Sequence, residues 1–104
     1  MTFSLYQIVL YRFPLDKVQY PKPCVIVDIT QNGILGILPI STKSYGNDSK
    51  FILAESDSEF VSTGLSETSY IFGNPVLDIH PSLVIKVLGN LTGHLRTEFI
   101  DWIG

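Results

Sequence analysis

The stretch Cys24-Val25-Ile26-Val27-Asp28-Ile29-Thr30-Gln31-Asn32-Gly33-Ile34-Leu35-Gly36-Ile37-Leu38-Pro39-Ile40 decides the fold. Two β-branched, apolar runs flank Gln31-Asn32-Gly33, and Asn-Gly supplies the left-handed backbone that a tight hairpin turn needs. Both runs are apolar nearly throughout rather than alternating, so both of their faces must be covered, which places them near the centre of a sheet. A hairpin also decides which ends meet. With the turn at Asn32-Gly33, the outer ends of the two strands, Lys22 and Ser41, are expected side by side.

Upstream, Ile8-Val9-Leu10-Tyr11-Arg12-Phe13 is a first strand candidate stopped by Pro14, and residues 14 to 23 read as a loop. Three prolines (Pro14, Pro21, Pro23) and three charges (Asp16, Lys17, Lys22) keep that loop out of ladder geometry. Downstream, a polar loop from Ser41 to Lys50 precedes strand candidates at Phe51-Ile52-Leu53, Ser69-Tyr70-Ile71-Phe72, Val76-Leu77-Asp78-Ile79 and Leu83 to Leu88. Asn74-Pro75 marks a kink or bulge between two of them, and Gly89-Asn90 closes the last. From Thr92 the period changes: Leu95, Phe99, Trp102 and Ile103 recur at helical spacing, with Thr92 as the N-cap.

Composition agrees with this pattern. Val and Ile number 20 and Ala one, a bias toward pleated strands because β-branching restricts χ1 in a helix. At 104 residues and 45% apolar, the chain is a single domain (residues 1–104) and is not intrinsically disordered. The expected class is mostly β with a C-terminal α-helix. Ten acidic against seven basic side chains exclude a broad electrostatic grip on long nucleic acid, but leave room for a short basic site with a modest salt dependence. No apolar run approaches the roughly 18 residues of a membrane span. Met1-Thr2-Phe3-Ser4-Leu5 lacks the charged n-region of a signal peptide, so the expectation is a cytoplasmic protein with no membrane partner.

Most reactive side chains read as ordinary. A single cysteine, Cys24, allows no intramolecular disulfide; set between Pro23 and Val25, it reads as a buried, inert thiol. Cys24, His80 and His94 are too few for a zinc site, so no metal is expected. Asp78 and His80 share a strand face, the arrangement of an acid–base pair, but His80 precedes Pro81 at a strand end and is read as a solvated imidazole. His94 reads as a surface residue in the first helical turn. The glycines form no phosphate loop, so nucleotide-hydrolysing and dinucleotide enzymes are unsupported. Two constellations remain: Tyr20-Pro21-Lys22-Pro23, where prolines hold a lysine at the mouth of a central strand, and Ser41-Thr42-Lys43 after its hairpin partner. A cation and two hydroxyls are expected to meet at one end of the sheet.

The order of these elements resembles the PemK/MazF toxin family. Tyr6-Gln7-Ile8-Val9, then Phe13-Pro14, then Lys22-Pro23-Cys24-Val25-Ile26-Val27 is similar to that family's Gly-Asp-Ile-Val, Phe-Pro and Arg-Pro-x-Val-Val. Leu38-Pro39-Ile40-Ser41-Thr42 resembles its proline, hydrophobe and threonine stretch. Gly64-Leu65, Ser69-Tyr70-Ile71 and Leu88-Gly89-Asn90-Leu91 before a terminal helix continue the order across nearly the whole chain. Tyr6-Gln7 stands where the pattern has Gly-Asp, and an apolar residue around Val76-Leu77 stands where it has an arginine. The resemblance implies a small SH3-like barrel, a homodimer, and a toxin-like endoribonuclease that cuts single-stranded RNA without metal or cofactor under the control of a cognate antitoxin. It carries the family's active-site arginine onto Lys22 and its active-site threonine onto Ser41. Lys22, Ser41 and Thr42 are thus the expected catalytic residues, and Arg12, Lys17 and Lys43 the expected RNA contacts. The alternative expectation is a non-catalytic SH3-like binding module that kept the barrel and dimer surface; a third is an antitoxin-like or regulatory partner.

Overall fold

A computed structural model describes residues 2–12, 21–44, 46, 49–73 and 75–104. The protein is mostly β with one C-terminal helix. In chain order the elements are β1 (Gln7–Tyr11), β2 (Lys22–Ile29), β3 (Leu35–Ser41), β4 (Lys50–Leu53), a 3-10 turn (Phe60–Thr63), β5 (Ser69–Phe72), β6 (Leu77–Ile79), a second 3-10 turn (Pro81–Leu83), β7 (Val84–Asn90) and α1 (Gly93–Ile103). All strand pairs are antiparallel, in the order β4-β5-β3-β2-β1-β7, and β6 also pairs with β3.

The hairpin forms as its sequence demands. Gly33 takes φ +81°, the Thr30 N–H donates to the Ile34 carbonyl, and the Ile34 N–H returns to Thr30 Oγ1 at 3.1 Å. From Cys24↔Pro39 to Ile26↔Ile37 the register is regular; it then shifts by one so that Asp28 faces Gly36. A Cβ on Gly36 would stand 3.0 Å from the Asp28 Cβ, so the glycine makes room for this bulge. β2 and β3 are central because both of their faces are covered. Ile8, Val25, Leu38, Ile40, Leu53 and Ile71 pack under Leu95 and Phe99 of α1, while Val9, Tyr11, Cys24, Ile26, Leu35, Ile37 and Ile79 form a second core on the opposite face. Phe99 is fully buried, with Tyr6 and Phe51 edge-on to its ring at 6.0 and 5.4 Å.

Several boundaries differ from the sequence reading, two of them with a clear physical cause. β2 begins at Lys22, not Cys24, because the β1 register extends through Leu10↔Pro23 and Tyr11↔Lys22 and holds the Lys22-Pro23 end in the ladder. Gly89 and Asn90 do not end a strand; they belong to β7 and pair with Ile8 and Gln7. The glycine is there for close packing, since a Cβ on Gly89 would lie 2.1 Å from the Ser62 carbonyl oxygen. Thr92 does stand at the N-cap, but its hydroxyl makes no capping bond and donates instead to Glu59 Oε2 at 2.9 Å. Tyr6 has φ +69°, the only positive φ at a non-glycine among the described residues, and it falls where the resembled pattern has glycine. The strain is offset by its ring, packed between Phe99 and the Arg96 guanidinium 5.1 Å away, and by backbone bonds to Ile26 and Leu91.

Candidate functional site

Continuing the β2–β3 register two residues outward from Cys24↔Pro39 sets Lys22 against Ser41. Both lie one step beyond the second core, on the face that Cys24, Ile26 and Ile37 bury further along, so the side chains leave the apolar interior where water begins. A groove of about 640 Å³ opens there. Lys22, Ser41, Thr42 and Lys43 line it, with Pro21, Pro23 and Pro39 in its wall. The pairing of β3 with β5, Ser41↔Tyr70 and Ile40↔Ile71, brings the segment before β5 to the far side, where Leu65, Ser66, Glu67, Ser69 and Phe72 complete the lining.

Four of the six sequence-derived site residues therefore meet. Arg12 follows Tyr11, the β1 partner of Lys22, and is exposed at the same end of the sheet, but it does not line the groove. Lys17 lies outside the described residues. Ser41 Oγ accepts the Lys43 N–H at 3.1 Å, which occupies one lone pair and leaves the hydroxyl hydrogen to be donated elsewhere. The described lining carries two ammonium groups, Lys22 and Lys43, the hydroxyls of Ser41, Thr42, Ser66 and Ser69, and one carboxylate, Glu67. Sequence reading missed Glu67 and Phe72, because neither stands near Lys22 or Ser41 along the chain; only the long-range β3–β5 pairing brings them in.

The remaining reactive groups are accounted for structurally. Cys24 is fully buried, and loss of solvation pushes its thiol up to about 12, so it is the inert core thiol expected. His80 caps the second 3-10 turn, its Nδ1 accepting the Ser82 N–H at 3.1 Å. His94 is half exposed, as expected of a surface residue, yet partnered on both sides: Nε2 is 2.7 Å from Asp57 Oδ1 and Nδ1 is 3.0 Å from Glu98 Oε2. Among the described residues no three His, Cys, Asp or Glu side chains gather to hold a metal ion, and no helix is long and apolar enough to cross a membrane. A second cavity, of about 520 Å³, lies between Trp102, Ile103, Val27 and Val76, with Asp28 as its one charge among the described residues. Comparison with known proteins returns no matching family model and no matching curated protein.

Proposed function

We propose that the protein is an endoribonuclease of the PemK/MazF kind, cutting single-stranded RNA without metal in the groove between Lys22, Lys43 and Glu67. The observation that carries this reading is the composition of that groove among the described residues: two lysines, four hydroxyl side chains and one carboxylate on a single open cleft. The left-handed backbone of Tyr6, at the glycine position of the resembled pattern, adds support. With RNA in place, the 2′-hydroxyl adjacent to the scissile phosphate is the nucleophile. Its proton passes to the Glu67 carboxylate, the one carboxylate among the described residues of the lining. The 2′-oxygen bonds to phosphorus while the P–O5′ bond breaks, and the departing 5′-oxygen takes a proton from solvent. Lys22 stabilises the charge of the phosphorane, Ser41 or Thr42 donates to a non-bridging oxygen, and Lys43 holds the neighbouring phosphate. A homodimer with SH3-like barrels, held in check by a cognate antitoxin in the cytoplasm, is the setting this reading carries.

A second reading, a binding module that no longer cuts, draws on one feature: Lys22 is a point charge without the two-pronged fork by which arginine grips a phosphate. The two separate on a labelled single-stranded oligoribonucleotide in EDTA. Cleavage should leave 2′,3′-cyclic phosphate and 5′-hydroxyl ends. Lys22→Ala should lower the rate by about 10²-fold, the scale of losing one charge-stabilising contact, and Lys22→Arg should equal or exceed wild type. RNA bound but left intact selects the binding module, and folded protein that neither binds nor cuts RNA overturns both.

A further inference from the structure

The groove does not end at Phe72. Residues paired across an antiparallel ladder project to the same face, and the registers Ile52↔Tyr70 and Ser41↔Tyr70, continued by Ser41 to Lys22, form one row across β4, β5, β3 and β2. The next row along these strands begins with Lys50↔Phe72. Lys50, Ile52, Tyr70 and Phe72 thus share the outer face of the β4–β5 hairpin, turned away from the core that Phe51, Leu53 and Ile71 build under α1. Ile52 is 53% exposed, a large apolar side chain in the middle of this face. Lys50 Nζ stands 5.6 Å from the centre of the Tyr70 ring and donates to Ser44 Oγ, which ties the face to the segment that carries Ser41, Thr42 and Lys43.

We propose that this face is a stacking track for the unpaired bases of single-stranded RNA that flank the phosphate in the groove. The inference rests on the RNA reading above and extends it from one phosphate to several nucleotides. Single strands are held where aromatic rings take the bases and lysines take the phosphates between them, without reading sequence. Tyr70 supplies the ring, Ile52 the apolar floor, and Lys50 a cation spaced along the strand from Lys43. The face is continuous with the groove through Ser41 and Phe72, so a strand leaving the groove meets Tyr70 next.

The test is binding of a dye-labelled RNA dinucleotide and hexanucleotide, each 2′-O-methylated at every ribose so that no 2′-hydroxyl is left to attack, followed by fluorescence anisotropy. Wild type should bind the hexamer at least about tenfold more tightly than the dimer, since each stacked base adds that order of affinity. Tyr70→Ala and Ile52→Glu should each weaken the hexamer by about tenfold with little change for the dinucleotide, and Tyr70→Phe, which keeps the ring, should retain wild-type affinity. Ile52→Glu sits on the surface and keeps the test open should Tyr70→Ala unfold. If both variants bind the hexamer as wild type does, the track is wrong and the groove reading stands. If wild type binds neither oligonucleotide, both fall. If Ile52→Glu instead splits a self-associated species in sedimentation while leaving RNA affinity unchanged, the face belongs to a second copy of the chain and the proposal is overturned.

Discussion

Gly64 and Gly89 face each other where the first 3-10 turn lies on β7. A Cβ on Gly64 would meet the Leu88 carbonyl oxygen at 2.1 Å, and one on Gly89 the Ser62 carbonyl oxygen at 2.1 Å. Both obstacles are backbone, which cannot swing aside as a side chain does. Gly33, by contrast, needs only its positive φ, with open space around it. Gly89→Ala should therefore cost about 3 kcal/mol, the upper end for overpacking, and lower the melting temperature by 10 °C or more, against about 1 kcal/mol for Gly33→Ala. Equal losses in thermal unfolding would mean that the β7 contact has slack to yield. Gly33 was legible in the sequence because its turn is local. Gly89 reads as a strand end because Gly-Asn is turn chemistry, and nothing local distinguishes a turn glycine from one that admits a carbonyl 27 residues away.

At the scale of the element, α1 is fastened at its start by polar contacts as well as by its apolar stripe. Thr92 holds Glu59, and His94 lies between Asp57 and Glu98. Only an imidazolium can donate from both ring nitrogens at once, so the two carboxylates favour the charged ring. Hydrogen bonding to Glu98 first, then to Asp57, raises its pKa above the ordinary histidine value of 6.5 despite some loss of solvation. A raised folded-state pKa stabilises the protein fully below the unfolded value and ceases to do so as pH climbs through the folded one. His94→Gln should accordingly melt below wild type at pH 5.5, with the gap narrowing as pH rises and gone at pH 9; a gap independent of pH would mean packing, not charge, is at work. The sequence placed the helix and the histidine but not this latch, since Asp57 is 37 residues away. The same division holds for the site. The Lys22–Ser41 meeting follows from a hairpin register and was legible, whereas Glu67, Phe72 and the outer face of β4–β5 depend on a pairing of β3 with β5 across some thirty residues.

For the whole molecule, a net charge of −3 sets the terms on which RNA can bind. The chain as a whole repels a polyanion, so attraction must come from a few cations close to the phosphates, and at physiological ionic strength the screening length of about 8 Å hides the remaining charge. Among the described residues, the groove and its adjoining face carry Lys22, Lys43 and Lys50. Each phosphate neutralised on a single strand contributes about −0.7 to the slope of log affinity against log salt, so three lysines predict a slope near −2. Lys50→Gln should flatten it by about 0.7 without moving the affinity of a dinucleotide held in the groove alone. Stacking does not depend on counterion release, so Tyr70→Ala should lower the hexamer's affinity at every salt concentration and leave the slope where it was. Titrations from 50 to 300 mM salt measure all three lines. A wild-type slope steeper than about −4 would require more cations than this end of the sheet holds and would place the RNA elsewhere on the protein.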